Sequence, residues 1–307
     1  MTIAEKENII KEQQLILCKI PPEDTRRYNR QKNKIEKLKK QFYTNLDRWD
    51  IVCLARSPQR AKAQDYISAL FSDFYPFCGD RCFGEDRSIT AGIARYNGRP
   101  VTVIAQSKGT DLADNLKKNF GMVSPEGYRK AIRLAKQAEK FSRPIITIVD
   151  TPGAYPGKGA EERGQAQAIA QCLYTFSNLK TPVICIVISE GGSGGALALS
   201  VADRIYMLEN AVYSILSPEG FASILYKDET LAPKAARQMK MTAADLYQKH
   251  IIDEIVKEPL GGAGANIDVT VRRIRNLLNR DLPLLTGKKM KNLLEERYEK
   301  YRRIGVM

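Results

Sequence analysis

The chain has 307 residues, 43% of them apolar, and a formal charge of +14. That is room for one large domain with appended helices, or for two modest ones, around a real core. The longest apolar run, Val183 to Ile188, is too short to cross a membrane, and Glu5 and Glu7 stand where a signal peptide carries only bases; a soluble, cytoplasmic protein is expected.

Three zones follow one another. Residues 1–76 contain no glycine and many long side chains, and read as an N-terminal helical extension. Its predicted helices are Asn33–Trp49 and Pro58–Phe71, the second capped by Ser57 with proline in the first turn. Residues 77–262 alternate short β-branched runs with helical patterns and read as the core. Val101–Ala105, Ile145–Val149 and Val183–Ile188 are apolar on both faces and predict buried strands of an α/β sheet.

A helix is predicted from Ser124-Pro125-Glu126: serine caps, proline takes the first position, and glutamate favours the positive end of the dipole. Ala131, Leu134, Ala135, Ala138 and Phe141 recur at helical spacing as its buried stripe. A further helix is expected from Glu161 to Phe176, then strands at Arg204–Leu208, Ala211–Ile215 and Ile251–Val256. Residues 263–307 read as a basic helical extension with a break at Asp281–Gly287.

The six cysteines lie at 18, 53, 78, 82, 172 and 185. Cys172 and Cys185 sit in apolar runs and read as reduced core thiols. Cys78 and Cys82 form the one close pair, and the chain has a single histidine, so no metal site is expected. The positive charge is concentrated in Arg26–Lys40 and Arg272–Arg303. It fits a solvated helical face, or attraction to a coenzyme phosphate, an acidic protein or nucleic acid.

Two loops after buried strands can do chemistry. Asp150-Thr-Pro-Gly-Ala-Tyr-Pro-Gly157 is stiffened by two prolines and two glycines. Glu190-Gly-Gly-Ser-Gly-Gly195 runs straight into a helix, whose free first-turn N–H groups and dipole suit an oxyanion. It lacks the Gly-Lys-Ser/Thr of a phosphate loop and the spacing of a dinucleotide fingerprint. It does satisfy Gly-x-Ser-x-Gly around Ser193, and Asp245 and His250 follow in the chain order of an α/β-hydrolase.

Several segments together resemble one family. They are Asn119-Phe-Gly-Met, Pro125-Glu-Gly-Tyr-Arg-Lys-Ala, Pro144-Ile-Ile-Thr, Asp150-Thr-Pro-Gly-Ala-Tyr-Pro-Gly, Ala160-Glu-Glu-Arg-Gly-Gln, Glu190-Gly-Gly-Ser-Gly-Gly-Ala-Leu-Ala, Ser217-Pro-Glu-Gly and Glu258-Pro-Leu-Gly-Gly-Ala. In order and spacing they resemble the alpha subunit of bacterial acetyl-CoA carboxylase carboxyltransferase. Weaker likeness covers Leu54-Ala-Arg-x-Pro-Gln-Arg and Gly92-Ile-Ala-Arg. The chain departs from the family pattern at Thr110 (commonly Arg), Gly264-Ala265 (commonly His-Arg) and Ala202 (commonly Gly).

The resemblance implies a crotonase fold of repeated β-β-α units in two roughly perpendicular sheets. It implies carboxyl transfer from carboxybiotin to acetyl-CoA, giving malonyl-CoA for fatty acid synthesis. The implied partners are a zinc-ribbon beta subunit in an α2β2 assembly, the biotin carboxyl carrier protein that brings the carboxybiotin, and biotin carboxylase. Oxyanions then develop on biotin and on the thioester, each needing preorganised donors. Gly194, Gly195, Gly153 and Ala154 are the expected donors to biotin, with Gly191, Gly192, Ser193 and Tyr155 around it. Rival readings are another biotin-dependent acyl-CoA carboxylase or decarboxylase subunit, a hydratase using Glu161, Glu162 or Glu219, a serine hydrolase, and a basic nucleic-acid-binding protein.

Overall fold

A computed structural model describes residues 2–21 and 23–306. The chain begins with four helices, α1 (Ile3–Cys18), α2 (Thr25–Tyr43), α3 (Arg48–Ala55) and α4 (Ala63–Leu70). Strands β1 (Ser72–Pro76), β2 (Ile89–Tyr96) and β3 (Arg99–Gln106) form an antiparallel meander. Then come α5 (Leu112–Lys117), α6 (Pro125–Lys140), β4 (Ile145–Thr151), α7 (Lys158–Glu162), α8 (Gln165–Asn178), β5 (Val183–Gly192) and α9 (Ser193–Ser200). The rest is β6 (Arg204–Leu208), β7 (Val212–Ser214), α10 (Pro218–Tyr226), α11 (Ala232–Gln238), α12 (Ala243–Gln248), β8 (Glu254–Val256), α13 (Ile267–Thr286) and α14 (Met290–Arg303).

The strands join in one hydrogen-bonded sheet ordered β1-β2-β3-β4-β5-β6-β8, parallel from β3 onward. Strand β5 changes partner along its length: Ile184–Val187 pair with β6, and Glu190–Gly192 pair with β7. The sheet therefore branches at β5, with β7 leaving the main path. Strand β4 is buried at every position, as its unbroken apolar run requires.

Several local expectations shift. The sheet starts at Ser72, directly after the last helix expected in the N-terminal extension and before its expected end at residue 76. The helix predicted to start at Pro58 starts at Ala63. The turn before it buries Arg60, whose guanidinium makes two hydrogen bonds to Glu258, at 2.7 and 2.9 Å, and one to the Ile188 carbonyl at 2.8 Å. The Asn33–Trp49 helix is two helices, because Asp47 accepts from the Asp50 N–H at 2.8 Å and starts α3 afresh. Gly164, with φ +79°, separates α7 from α8. Phe141 is 59% exposed, because α6 ends at Lys140 and the ring turns outward beneath Arg143. Pro283 lies within α13 and does not break it.

The C-terminal helix is tied to the core. Arg297 is buried and meets both Asp203 oxygens at 2.8 Å, and it donates to the carbonyls of Phe176, Leu179 and Thr181. Cys172 and Cys185 are buried in the core, while Cys78 and Cys82 are exposed free thiols.

Candidate functional site

Both expected loops stand at the ends of neighbouring parallel strands. Thr151 of β4 pairs with Gly191 of β5, which brings the turns after them together. Gly192 and Gly195 pack directly on the first loop. A β-carbon at Gly192 would lie 2.0 Å from the Pro152 carbonyl oxygen, and one at Gly195 would lie 2.5 Å from the Ala154 nitrogen. Only glycine permits this backbone contact. Gly194 faces open space, where a β-carbon would meet only Ile169 at 3.6 Å.

Helix α9 begins here with Gly192 as N-cap and no side chain capping it. The first-turn N–H groups of Ser193, Gly194 and Gly195 therefore lack intrahelical acceptors. Buried Gln106 fixes this turn from below, donating from Nε2 to the Gly195 carbonyl at 2.8 Å. In the first loop, the Gly153 N–H is 3.1 Å from Thr151 Oγ1 and so is already engaged. The Thr151 hydroxyl in turn lies 2.7 Å from the carbonyls of Gly121 and Gly153. Tyr155 is held by its backbone: its N–H donates to Val123 O at 3.0 Å, and its carbonyl accepts from Gln165 Nε2 at 2.9 Å.

Beside the loops runs a charged chain that sequence reasoning left without a role. Lys108 Nζ lies 2.9 Å from Asp150 Oδ1 and 2.5 Å from Glu190 Oε2. Arg56 continues it, 2.7 Å from Glu190 and 2.6 Å from Glu219. Burial pushes the Glu190 carboxyl up, but Lys108 and Arg56 outweigh it and hold the group below its ordinary range. Burial likewise opposes the Lys108 ammonium, and its two carboxylates raise it overall. The signal was present: Lys108, Asp150 and Glu190 each come just after a buried apolar run, on adjacent strands. A cavity of about 240 Å³ opens here, lined by Arg56, Glu190, Gly192 and Ser193 with Val52 and Met241.

The hydrolase triad is not assembled. Asp245 lies 2.7 and 2.8 Å from Arg48, whose hydrogen bonds hold its carboxyl down to about 2. It also accepts from the Thr242 hydroxyl at the start of α12. His250 sits in the turn after α12 and lines a groove with α14, whereas Ser193 lines the cavity by α3. Glu161 and Glu162 are exposed on α7, and Glu219 is paired with Arg56. Among the described residues no group of three or more acids, cysteines or histidines is placed to hold a metal ion.

The departures from the family pattern also find places. A β-carbon at Gly264 would lie 2.0 Å from the Gln59 carbonyl oxygen, so the turn before α4 leaves room only for glycine there. The Thr110 N–H donates to Asp114 at 3.2 Å. Ala202 is buried, and its N–H donates to the Tyr301 hydroxyl oxygen at 2.8 Å, which makes it part of the seat of α14.

Comparison with known proteins agrees with this arrangement. Residues 2–305 match the family model described as acetyl co-enzyme A carboxylase carboxyltransferase-like. The chain is 54% identical over 277 residues to the acetyl-coenzyme A carboxylase carboxyl transferase subunit alpha of Anoxybacillus flavithermus, covering 90% of this chain and 85% of that one. It is 55% identical over 273 residues to the corresponding subunit of Bacillus cytotoxicus, covering 89% and 84%. Among solved structures, transcarboxylase 12S superposes with a TM-score of 0.62 at 20% identity, over 79% of this chain and 44% of that one. A Pseudomonas malonate decarboxylase hetero-dimer superposes with a TM-score of 0.56 at 19% identity, over 71% and 88%. The fold is thus that of the crotonase-like carboxyltransferases, and the chain belongs to the family of acetyl-coenzyme A carboxylase carboxyl transferase alpha subunits.

Proposed function

We propose that this chain provides the carboxybiotin side of a carboxyltransferase that moves a carboxyl group onto acetyl-CoA. The observation that carries the reading is the pair of interlocked loops, with the N–H groups of Gly194 and Gly195 in the uncapped first turn of α9, where they have no intrahelical acceptor. These donors suit carboxybiotin: they do not ionise, Gly194 has no side chain to obstruct approach, and the helix dipole favours negative charge there. Carboxybiotin, when bound, supplies the activated carboxyl group and, after its loss, the base that deprotonates acetyl-CoA. Gly194 and Gly195 would hold its ureido oxygen, with Ala154 beside them. Gly153 shapes the turn, since its N–H is taken by Thr151. Gly191, Gly192, Ser193 and Tyr155 form the surround.

Side-chain acid–base chemistry is not required of this chain. Glu190 and Glu219 are in ion pairs, and Asp150 has one oxygen on Lys108 and the other buried without a partner. The thioester oxyanion needs donors of its own, which we assign to a zinc-ribbon beta subunit in an α2β2 assembly. The biotin carboxyl carrier protein brings the carboxybiotin that biotin carboxylase forms. No helix among the described residues is long and apolar enough to cross a membrane. Membership of the carboxyltransferase family supports a cytoplasmic enzyme of fatty acid synthesis.

The test is malonyl-CoA decarboxylation with free biotin as acceptor, run on the chain alone and with its beta partner. Turnover is expected only from the mixture. Robust turnover by the lone chain overturns the shared site. Absence of turnover from the mixture with malonyl-CoA, methylmalonyl-CoA and longer carboxylated acyl-CoA thioesters overturns the carboxyltransferase reading.

A further inference from the structure

A second concave surface shares no lining residue with the two glycine loops. It is a groove of about 570 Å³ between the turn before α4 and the segment after β3, lined by Gln59, Lys62, Ser68, Thr110, Gly264 and Ile267. Thr110 is two residues from Lys108, which bonds the acids heading both glycine loops. Two positions that depart from the family pattern, Thr110 and Gly264, thus face one groove.

Arg60 and Lys62 line the groove, and Lys108, two residues before Thr110, disfavours the charge on Lys62. Two are neutralised within the chain. Arg60 carries the two-fold hydrogen bond to Glu258, and Lys108 has Asp150 and Glu190. The ammonium of Lys62 has no ion pair among the described residues, although the side chain is half-buried. Asp65 also lines the groove, but its Oδ2 accepts from the Lys62 backbone N–H at 2.7 Å, at the start of α4. Burial, reinforced by Lys108 and Arg60 and opposed by Asp150 and Asp65, holds Lys62 below its ordinary range. A half-buried cation beside two others is unfavourable alone and is relieved by an anion.

We propose that this groove is an anion subsite of the carboxyltransferase, in which Lys62 meets a phosphate or carboxylate group of the acyl-CoA substrate or product. The proposal rests on the carboxyltransferase reading. Thr110 and Ser68, which also line the groove, carry hydroxyls. The backbone contact of Gly264 with Gln59 leaves no side chain there to fill the space.

The experiment uses the complete alpha–beta complex with wild type, Lys62→Met and Lys62→Arg. A charge-assisted contact of this kind corresponds to roughly 10- to 100-fold in affinity. KM for malonyl-CoA is expected to rise by about that factor in Lys62→Met, with kcat little changed, and Lys62→Arg should restore most of it. Malonyl-pantetheine, which lacks the nucleotide phosphates, identifies the source. If its KM is unaffected by Lys62→Met, the anion is a coenzyme phosphate. If its KM rises equally, the anion is the malonyl carboxylate. Equilibrium binding of malonyl-CoA to the same complexes, without biotin, is read whether or not turnover occurs, which separates this proposal from failure of the catalytic reading. Equal affinity of wild type and Lys62→Met overturns it, as does a fall in kcat with KM unchanged.

Discussion

The α-carbon of Gly195 lies so close to the backbone nitrogen of Ala154 that a β-carbon at position 195 would stand 2.5 Å from it. The same space holds the Tyr128 hydroxyl at 2.9 Å, buried and without a hydrogen-bond partner. Gly195 is therefore a packing glycine as well as a proposed donor, whereas Gly194 is free of such contacts. Gly195→Ala should push the loops apart, cost about 1–3 kcal/mol by overpacking, and reduce turnover. Gly194→Ala should melt at or slightly above wild type, since alanine favours a helix over glycine by about 1 kcal/mol. Gly194→Val should fold yet lose roughly a hundredfold in turnover by blocking approach to the N–H donors. Thermal melts and carboxyl-transfer rates on the three variants separate the two roles. A Gly195→Ala variant with wild-type stability and rate would show that the loops are not interlocked.

Ser193 has φ +57°, a left-handed conformation at the first residue of α9. Its place in the sequence suggests a nucleophile, but Asp245 is paired with Arg48 and His250 lines a separate groove beside α14. Ser193→Ala should keep most of the activity because the backbone N–H remains. Ser193→Gly should do so too, and should gain a few tenths to about 1 kcal/mol by relieving the left-handed strain. A fluorophosphonate should leave the protein unlabelled. Stoichiometric labelling at Ser193 would reinstate the hydrolase.

The buried strands were readable because β3, β4 and β5 are apolar on both faces, a pattern that few other elements produce. The start of α6 was readable because Pro125 takes the first helical position, although the Ser124 side chain makes no capping hydrogen bond. The two glycine loops were readable because their glycines and prolines likewise act locally. What remained hidden was set by partners distant in sequence. The start of α4 is displaced by Arg60 reaching Glu258, which is 198 residues away. Strand β1 carries Asp73, Phe74 and Tyr75 in no alternating pattern, and only its pairing with β2 makes it a strand. The Lys108–Asp150–Glu190–Arg56 chain needs the parallel register of β3, β4 and β5 before its members are neighbours.

Removing Lys108 tests whether that chain supports the site. Lys108→Met leaves the acids at 150 and 190 facing each other with one fewer cation, and loss of one partner of a buried pair costs about 3–5 kcal/mol. Glu190 is held below its ordinary 4.5 in the folded protein. Its contribution is therefore present above pH 4.5 and is lost as pH falls through the lowered folded value. The stability gap between wild type and Lys108→Met, measured by urea unfolding, should be widest near pH 7. It should narrow as Glu190 takes up its proton below pH 4.5. A gap that is constant from pH 7 to pH 3.5 would mean that Lys108 acts by packing alone.

The last prediction concerns α2. It carries eight bases and one acid, and Ile35 is its one buried residue. Lys34, Lys37 and Lys40 are exposed at i, i+3, i+6 spacing and so share a face. Nothing in the donor set uses this charge. An acidic carrier protein approaching the site would feel it over about 8–10 Å at physiological salt, and less as salt rises. Reversing the three lysines to glutamate should slow capture of carboxylated carrier protein, with the largest deficit at low ionic strength. Turnover with free biotin should hardly change, because its ring is small and uncharged. A folding defect would lower both rates together, so the ratio of the two isolates steering. Equal rates with carrier protein across a salt series, in wild type and variant alike, would leave the helix as a solvated face with no part in recognition.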